Sequence, residues 1–151
     1  MNKQSLTIEI PQGYEIDSFD KLSGKIMFKE KPRKVTDRVK TVADLLAEHG
    51  YTLQRFDELC KDLTIDERAY RILKMLAVSL NEGWTPDWNN YNEGKYYPYF
   101  EMGGSSGFLF HDYDCWTSHS SVGSRLCFKT SELAKYAGIQ FTDVYKQFMS
   151  L

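Results

Sequence analysis

The chain has 151 residues, a net charge of -2 at pH 7 and 42% hydrophobic residues, which is the composition of one soluble globular domain. This balance excludes disordered, collagen-like and low-complexity proteins. The first residues lack the basic region and apolar run of a signal peptide, and no apolar stretch has the length of a membrane span. We therefore expect a protein of the host-cell cytoplasm that makes no membrane contact and needs no cofactor.

Two strands are predicted at the N-terminal end of the chain. Ser5 to Ile10 and Leu22 to Lys29 both alternate apolar and polar residues with the period of a half-buried strand. Their connection is too long for a tight turn, so we expect an antiparallel hairpin with an irregular connection. The polar, basic segment 30–38 is predicted to be a linker. Residues 1–34 are therefore expected to form an N-terminal hairpin arm, and residues 35–151 an α+β body.

Three helices are predicted in the middle of the chain, each beginning after a threonine. Thr41, Thr52 and Thr64 stand where a side-chain oxygen accepts a hydrogen bond from the free backbone N–H groups of a first helical turn. Thr64 and Glu67 have the spacing of a capping box, and apolar residues then recur at helical intervals. This third helix is the best defined element of the sequence, and it leads directly into Trp84.

The C-terminal half is predicted to contain three strands and two helices. We expect an antiparallel meander of Lys95 to Met102, Phe108 to Asp112 and Ser124 to Phe128. Pro98 has no N–H to donate, so its strand should lie at an edge or carry a bulge. Thr130 is predicted to begin a short helix that ends at Gly138, and the segment 141–148 to form a last amphipathic helix. The whole pattern predicts an α+β fold with an N-terminal β-hairpin, three central helices, and a three-stranded meander with the C-terminal helices packed on one face.

Aromatic residues are concentrated between Trp84 and Trp116. This stretch holds 11 of the 22 aromatic residues, and side chains that bury so much area form either a sheet core or a binding face. Its second part is mainly strand, so most aromatics there are expected to be structural. Its first part, Trp84 to Gly94, is polar as well as aromatic and is called the aromatic loop below. The predicted binding surface consists of Trp84, Asp87, Trp88, Asn89, Tyr91 and Tyr97.

Basic residues are concentrated elsewhere, between Lys25 and Lys40, where seven basic residues accompany two acidic ones. The predicted polyanion contacts are Lys29, Lys31, Arg33, Lys34 and Arg38. Together with Tyr96, Tyr99 or Phe108 stacking on bases, they would form a single-stranded nucleic-acid site. A solvated linker explains the same charges, and the aromatic loop itself is net negative, so nucleic-acid binding is the second hypothesis.

His111, Cys115 and His119 are spaced four residues apart in the sequence. Imidazole and thiolate ligands suit zinc, and a cysteine beside a histidine base suits a thiol hydrolase. A strand followed by a loop would scatter the three side chains, however. We therefore predict no metal site and no catalytic residue at these positions, and the cysteine- or zinc-dependent hydrolase is the third hypothesis.

Several segments resemble a group of short hypothetical proteins from gut anaerobes and their phages. The opening IEIPQGYEID and the KIMFKEK strand look like the start of these proteins, and LNEGWTPDWNNYNEGKYYPYF and SRLCFKTSELAKYAGIQFTDVYKQF look like their body. The resemblance covers most of the chain and implies a phage or mobile-element setting, but no activity. The opening also resembles one that precedes unrelated C-terminal parts, which implies a detachable docking hairpin.

The first hypothesis for function rests on the concentration of aromatic residues between Trp84 and Trp116. No convergent set of catalytic residues accompanies them in the sequence. We expect a non-enzymatic protein-binding or assembly module that presents the aromatic surface to a protein partner or to its own copy. An exposed patch made by Trp84, Trp88, Tyr91 and Tyr97 is the structural feature that this hypothesis requires.

Overall fold

A computed structural model describes residues 5, 7–103, 107–120 and 123–150. Within these residues the fold is α+β, with six helices and two separate two-stranded antiparallel sheets. The strands are β1 (Tyr14–Phe19), β2 (Ile26–Glu30), β3 (Lys95–Glu101) and β4 (Leu109–Trp116). The helices are α1 (Val35–Arg38), α2 (Val42–Glu48), α3 (Leu53–Leu59), α4 (Ile65–Asn81), α5 (Ser131–Gln140) and α6 (Thr142–Met149). The chain divides into two compact units, the first ending at Lys34 and the second, the body, beginning at Val35.

The N-terminal hairpin is present, but its first strand lies later in the chain than predicted. The described residues of the segment 5–10 form no strand, and Leu6 lies outside the described residues. β1 instead follows Gly13 and pairs with β2 across a turn in which Asp20 accepts a hydrogen bond from the backbone N–H of Leu22. Leu22, predicted to belong to the second strand, is fully exposed in this turn. The observed pairing closes a shorter loop than the predicted pairing, which costs less chain entropy.

The hairpin has one apolar face. Ile16 stands opposite Phe28 and Phe19 opposite Ile26, and a bulge between Ile16 and Ser18 keeps Phe19 on the face of Ile16. Ile16 and Phe19 are 48% and 55% exposed. The hairpin therefore carries apolar side chains that its own two strands do not bury.

The three central helices begin at the predicted threonines. Thr41 accepts a hydrogen bond from the Asp44 N–H (3.1 Å), and Asp44 accepts one from the Thr41 N–H (2.9 Å). Thr52 caps α3 through its side chain, and Glu67 accepts a hydrogen bond from the Thr64 N–H (2.9 Å) at the start of α4. All three predicted starts are confirmed, because each depends only on residues within one helical turn.

Part of the predicted linker is helical and is anchored in the core of the body. Residues 35–38 form α1, since Val35 and Val39 reach into the core of the body. The Tyr136 hydroxyl on α5 donates to the carbonyl of Val39 (2.7 Å), which fixes the chain where α1 ends. The fully buried members of the core come mainly from α2 and α4: Leu45, Leu46, Ile72, Leu73, Leu76 and Leu80.

Helix α5 lies across β3 and β4, and α6 packs on α4. Gly138 is inside α5 rather than at its end, contrary to the prediction. A Cβ atom at Gly138 would stand 2.3 Å from the Phe110 ring and 2.8 Å from Cβ of Pro98. The missing side chain is what allows this helix to approach the sheet so closely.

The predicted three-stranded meander is wrong, because the segment 124–128 is not a strand. Only Phe128 pairs with β3, donating to the Tyr96 carbonyl (2.7 Å) and accepting from the Tyr96 N–H (3.0 Å). Two residues further along the same edge of β3 stands Pro98, which has no N–H with which to continue a ladder. Pro98 thus lies on an edge strand, as predicted, and a bulge follows between Tyr99 and Phe100.

Candidate functional site

The aromatic loop is wound around the ammonium group of Lys95, the first residue of β3. The Lys95 side chain is 1% exposed, and its Nζ donates to the carbonyl oxygens of Asn90 (3.1 Å), Glu93 (3.0 Å) and Asp87. It also lies 5.5 Å from the centre of the Trp88 ring. A buried ammonium is stable only when charges and hydrogen bonds replace its water. The strand residue therefore dictates the course of the loop.

The Glu93 carboxylate is the second fixed point of the aromatic loop. It accepts hydrogen bonds from the Asp87 N–H (2.9 Å) and from Nε1 of Trp84 (3.3 Å), and it lies 3.1 Å from Nζ of Lys95. These contacts, with the Asp87 N–H contributing most, lower the pKa of Glu93 below its usual range. The carboxylate is therefore charged at neutral pH, and it holds the Trp84 indole in place.

The end of α4 turns the chain sharply into the aromatic loop. Glu82 adopts a left-handed conformation (φ 48°), and Gly83 follows with φ 86°. Glu82 is held by ion pairs with Arg38 (3.2 Å) and Lys129 (3.7 Å). The left-handed region is unfavourable for a residue with a side chain, so these pairs help to keep the turn that places Trp84.

Asn81, the last residue of α4, ties the segment 127–129 to the helix. Its buried carboxamide donates to the carbonyl of Cys127 (2.9 Å) and accepts from the N–H of Lys129 (2.9 Å). The carboxamide thereby pairs with backbone as a neighbouring strand would. The sequence contained a signal for this role, an asparagine on the buried stripe one turn after Ala77, but its partners are too distant in the chain to be predicted from it.

These contacts frame a cavity of about 350 Å³ between α4, the aromatic loop and the segment 124–127. Most of the wall is apolar, and the two charged lining side chains are both cations. The lining residues are Lys74, Ala77, Val78, Asn81, Trp84, Thr85, Pro86, Trp88, Ser124, Arg125 and Cys127. A cavity with aromatic walls and a few polar groups is the usual form of a recognition site.

The predicted binding surface is only partly brought together. Trp84 and Trp88 are half-buried and line the cavity, whereas Tyr91 is 73% exposed and is not part of the lining. Asp87 caps a turn of the loop by accepting from the N–H of Asn89 (2.9 Å). Tyr97 is only 5% exposed and donates to Asp114, so, contrary to expectation, it does not belong to an exposed surface. The surface is therefore centred on the two tryptophans.

The predicted polyanion contacts are divided between the two units and partly neutralised. Lys29 lies 3.4 Å from Glu15 and 3.6 Å from Asp17 within the hairpin. Arg38, in the body, pairs with carboxylates at the ends of α2 and α4. The other three residues, Lys31, Arg33 and Lys34, are exposed in the N-terminal unit. Ion pairs within the chain thus use part of the charge on which the nucleic-acid hypothesis depends.

His111, Cys115 and His119 do not converge. Cys115 stands opposite Tyr96 on the α5 side of the sheet. The His111 ring packs on Tyr99 (5.8 Å between centres), whose side chain points to the other side, and His119 packs on Trp116. Within the described part of the chain, no group of three His, Cys, Asp or Glu residues is placed to hold a metal ion.

Comparisons with known proteins give no match from which a function could be taken. No protein-family model, curated protein or solved structure matches the chain. No helix in the described ranges is both long and apolar enough to cross a membrane. The cavity and the groups that surround it are therefore the features of the molecule that bear on its function.

Proposed function

We propose that the protein is a non-enzymatic protein-binding module whose cavity, walled by Trp84 and Trp88, receives a side chain of a partner protein. The supporting observation is that both indoles are half-buried and held in position while they line the cavity. We also predict for this protein the phage or mobile-element setting that the sequence resemblance implies.

The rigid support of the two tryptophans favours binding. Trp84 is hydrogen-bonded through Nε1 to Glu93, and Trp88 lies over the buried ammonium of Lys95. Large aromatic side chains that are already ordered lose little entropy when a partner covers them. Such residues are the usual energetic centres of protein interfaces.

The chemistry of the cavity favours binding over catalysis. Its lining holds two cations, Lys74 and Arg125, and one thiol, Cys127. Burial raises the pKa of the Cys127 thiol to about 11, so the thiol is protonated at neutral pH and is a poor nucleophile. Neither histidine of the predicted hydrolase set lines the cavity.

A matched pair of substitutions tests the proposal. Val78 lines the cavity and is 64% exposed on α4, whereas Ile139 is 62% exposed on α5 and is not among the lining residues. Val78→Trp should fill the cavity mouth without disturbing the core, and Ile139→Trp should add the same bulk elsewhere. Linear 12-residue peptides selected from a random display library on the full chain should bind the Ile139→Trp protein and lose binding to the Val78→Trp protein. Selection that yields no peptide with this dependence would refute the proposal.

A further inference from the structure

We infer that the cavity belongs to a longer groove across α4 that binds an acidic polypeptide segment, with a carboxylate placed between two bulky apolar side chains. The inference rests on the proposed function and names the class of its partner. It depends on the shape of the surface beside the cavity and on the charges that border it.

A second cavity of about 450 Å³ lies on the other side of the same stretch of α4. It shares Lys74 and Val78 with the first cavity, so the two adjoin along one strip of the helix surface. Its other lining residues are His49, Tyr51, Phe56, Leu59, Arg71 and Met75. Two adjoining apolar cavities on one helix fit two anchor side chains of a single extended segment better than one small molecule.

The charges along this groove all have one sign. Arg125 borders the first cavity, Arg71 the second, and Lys74 both, while no carboxylate lines either one. Several other cations of the body are paired: Lys95 lies 3.1 Å from Glu93, and Lys135 lies 3.4 Å from Asp112. In contrast, the described part of the chain provides no ion-pair partner for the three groove cations. Their positive charge is therefore available to a ligand.

The side-chain chemistry of these cations specifies the ligand group. Arg125 and Arg71 are exposed guanidinium groups, which bind carboxylates through two parallel hydrogen bonds. Lys74 is half-buried, with its Nζ 5.0 Å from the centre of the Tyr70 ring. A carboxylate that lies over Lys74 would have apolar wall on either side. The expected sequence pattern is an Asp or Glu with a bulky apolar residue before and after it.

The same peptide selection tests this inference when the selected peptides are compared for their amino-acid composition and charge. We expect the selected peptides to carry the acidic residue between two bulky apolar ones. Lys74→Glu should weaken their binding about tenfold or more, as should replacement of the acidic residue of a synthetic peptide by its amide. Lys61→Glu, an exposed position outside both cavities, should leave the affinity unchanged. Arg125→Glu, at an exposed position that borders the first cavity, provides the same readout if the Lys74 variant does not fold.

Three other outcomes would overturn the inference, and they separate it from the proposed function. Peptides that depend on Val78 but lack acidic residues and tolerate both charge reversals would refute the inference and leave the binding function standing. The absence of any peptide that depends on Val78 would refute both. Dimerisation of the full chain that Val78→Trp abolishes, measured by sedimentation, would identify a second copy as the occupant and exclude the acidic segment.

Discussion

Replacement of Lys95 by methionine is the most direct test of how the aromatic loop is held. Methionine retains the apolar length of the side chain but cannot donate to the carbonyls of Asp87, Asn90 and Glu93, which Nζ contacts. Each lost charge-assisted hydrogen bond is worth about 1.5–3 kcal/mol. Water can reach part of the loop once the ammonium is gone, because Asp87 and Asn90 are exposed residues. We therefore expect a net loss of about 3 kcal/mol, at the low end for breaking a buried charge pair.

The loss is measured as the free energy of unfolding in urea, followed by far-ultraviolet circular dichroism. A chain of this length should also melt about 6–12 °C lower, and tryptophan emission should shift to the red because Trp84 and Trp88 gain water. Lys135→Met is the matched control. The Nζ of Lys135 lies 3.4 Å from Asp112, and the lysine side chain is 47% exposed. Removing its charge should therefore lower the free energy of unfolding by less than about 1 kcal/mol.

Two results would refute this reasoning. One is a loss below about 1 kcal/mol for Lys95→Met, which would mean that the buried ammonium does not hold the loop. The other is an equal loss for the two lysine variants, which would mean that burial does not distinguish them. A normal emission maximum together with a large loss would place the damage in β3 rather than in the aromatic loop.

Three further predictions concern other contacts described above. Gly138→Ala should destabilise the protein by about 1–3 kcal/mol through the clash with Phe110. In an open helix the same substitution would stabilise the protein by about 1 kcal/mol. A variant that is more stable in urea would contradict the close approach of α5. Asn81→Leu should cost about 2–4 kcal/mol, because a backbone carbonyl and an N–H lose their partner, and an unchanged urea midpoint would disprove that role. The folded-state pKa of Glu93 is lowered, so its stabilisation is present above the unfolded pKa and is lost as pH falls through the folded value, which lies below that of an ordinary glutamate. Tryptophan emission should change in that acid range, and the change should be absent from Glu93→Gln.

The elements that sequence predicted correctly are those with local signals. Thr41, Thr52, Thr64 and Thr130 each cap a helix, and a cap depends on side chains within one turn. The predicted end of α5 at Gly138 was wrong because the same residue type serves two purposes. A glycine often ends a helix, but here it allows contact with a sheet that is distant in the sequence.

The candidate site was predicted only in outline for a related reason. Trp84 and Trp88 were identified by composition, but the two groups that organise their surroundings, Lys95 and Asn81, act through partners that spacing does not reveal. The sequence does not show whether a lysine in a strand exposes its ammonium group to solvent or buries it inside a loop. The missing third strand has a different cause: Phe128 pairs with Tyr96, but Pro98 at the same edge of β3 has no N–H with which to continue the ladder.

Pro98 has a consequence for how the protein behaves at high concentration. Tyr96 points its backbone groups towards Phe128 at the outer edge of β3, and alternation places the nitrogen of Pro98 at that same edge. Open edges of this kind recruit strands from other molecules and lead to aggregation. A proline at this position gives an incoming strand no N–H to pair with. The residue that ends strand pairing at this edge of β3 therefore also hinders the addition of a strand from another molecule at the same edge.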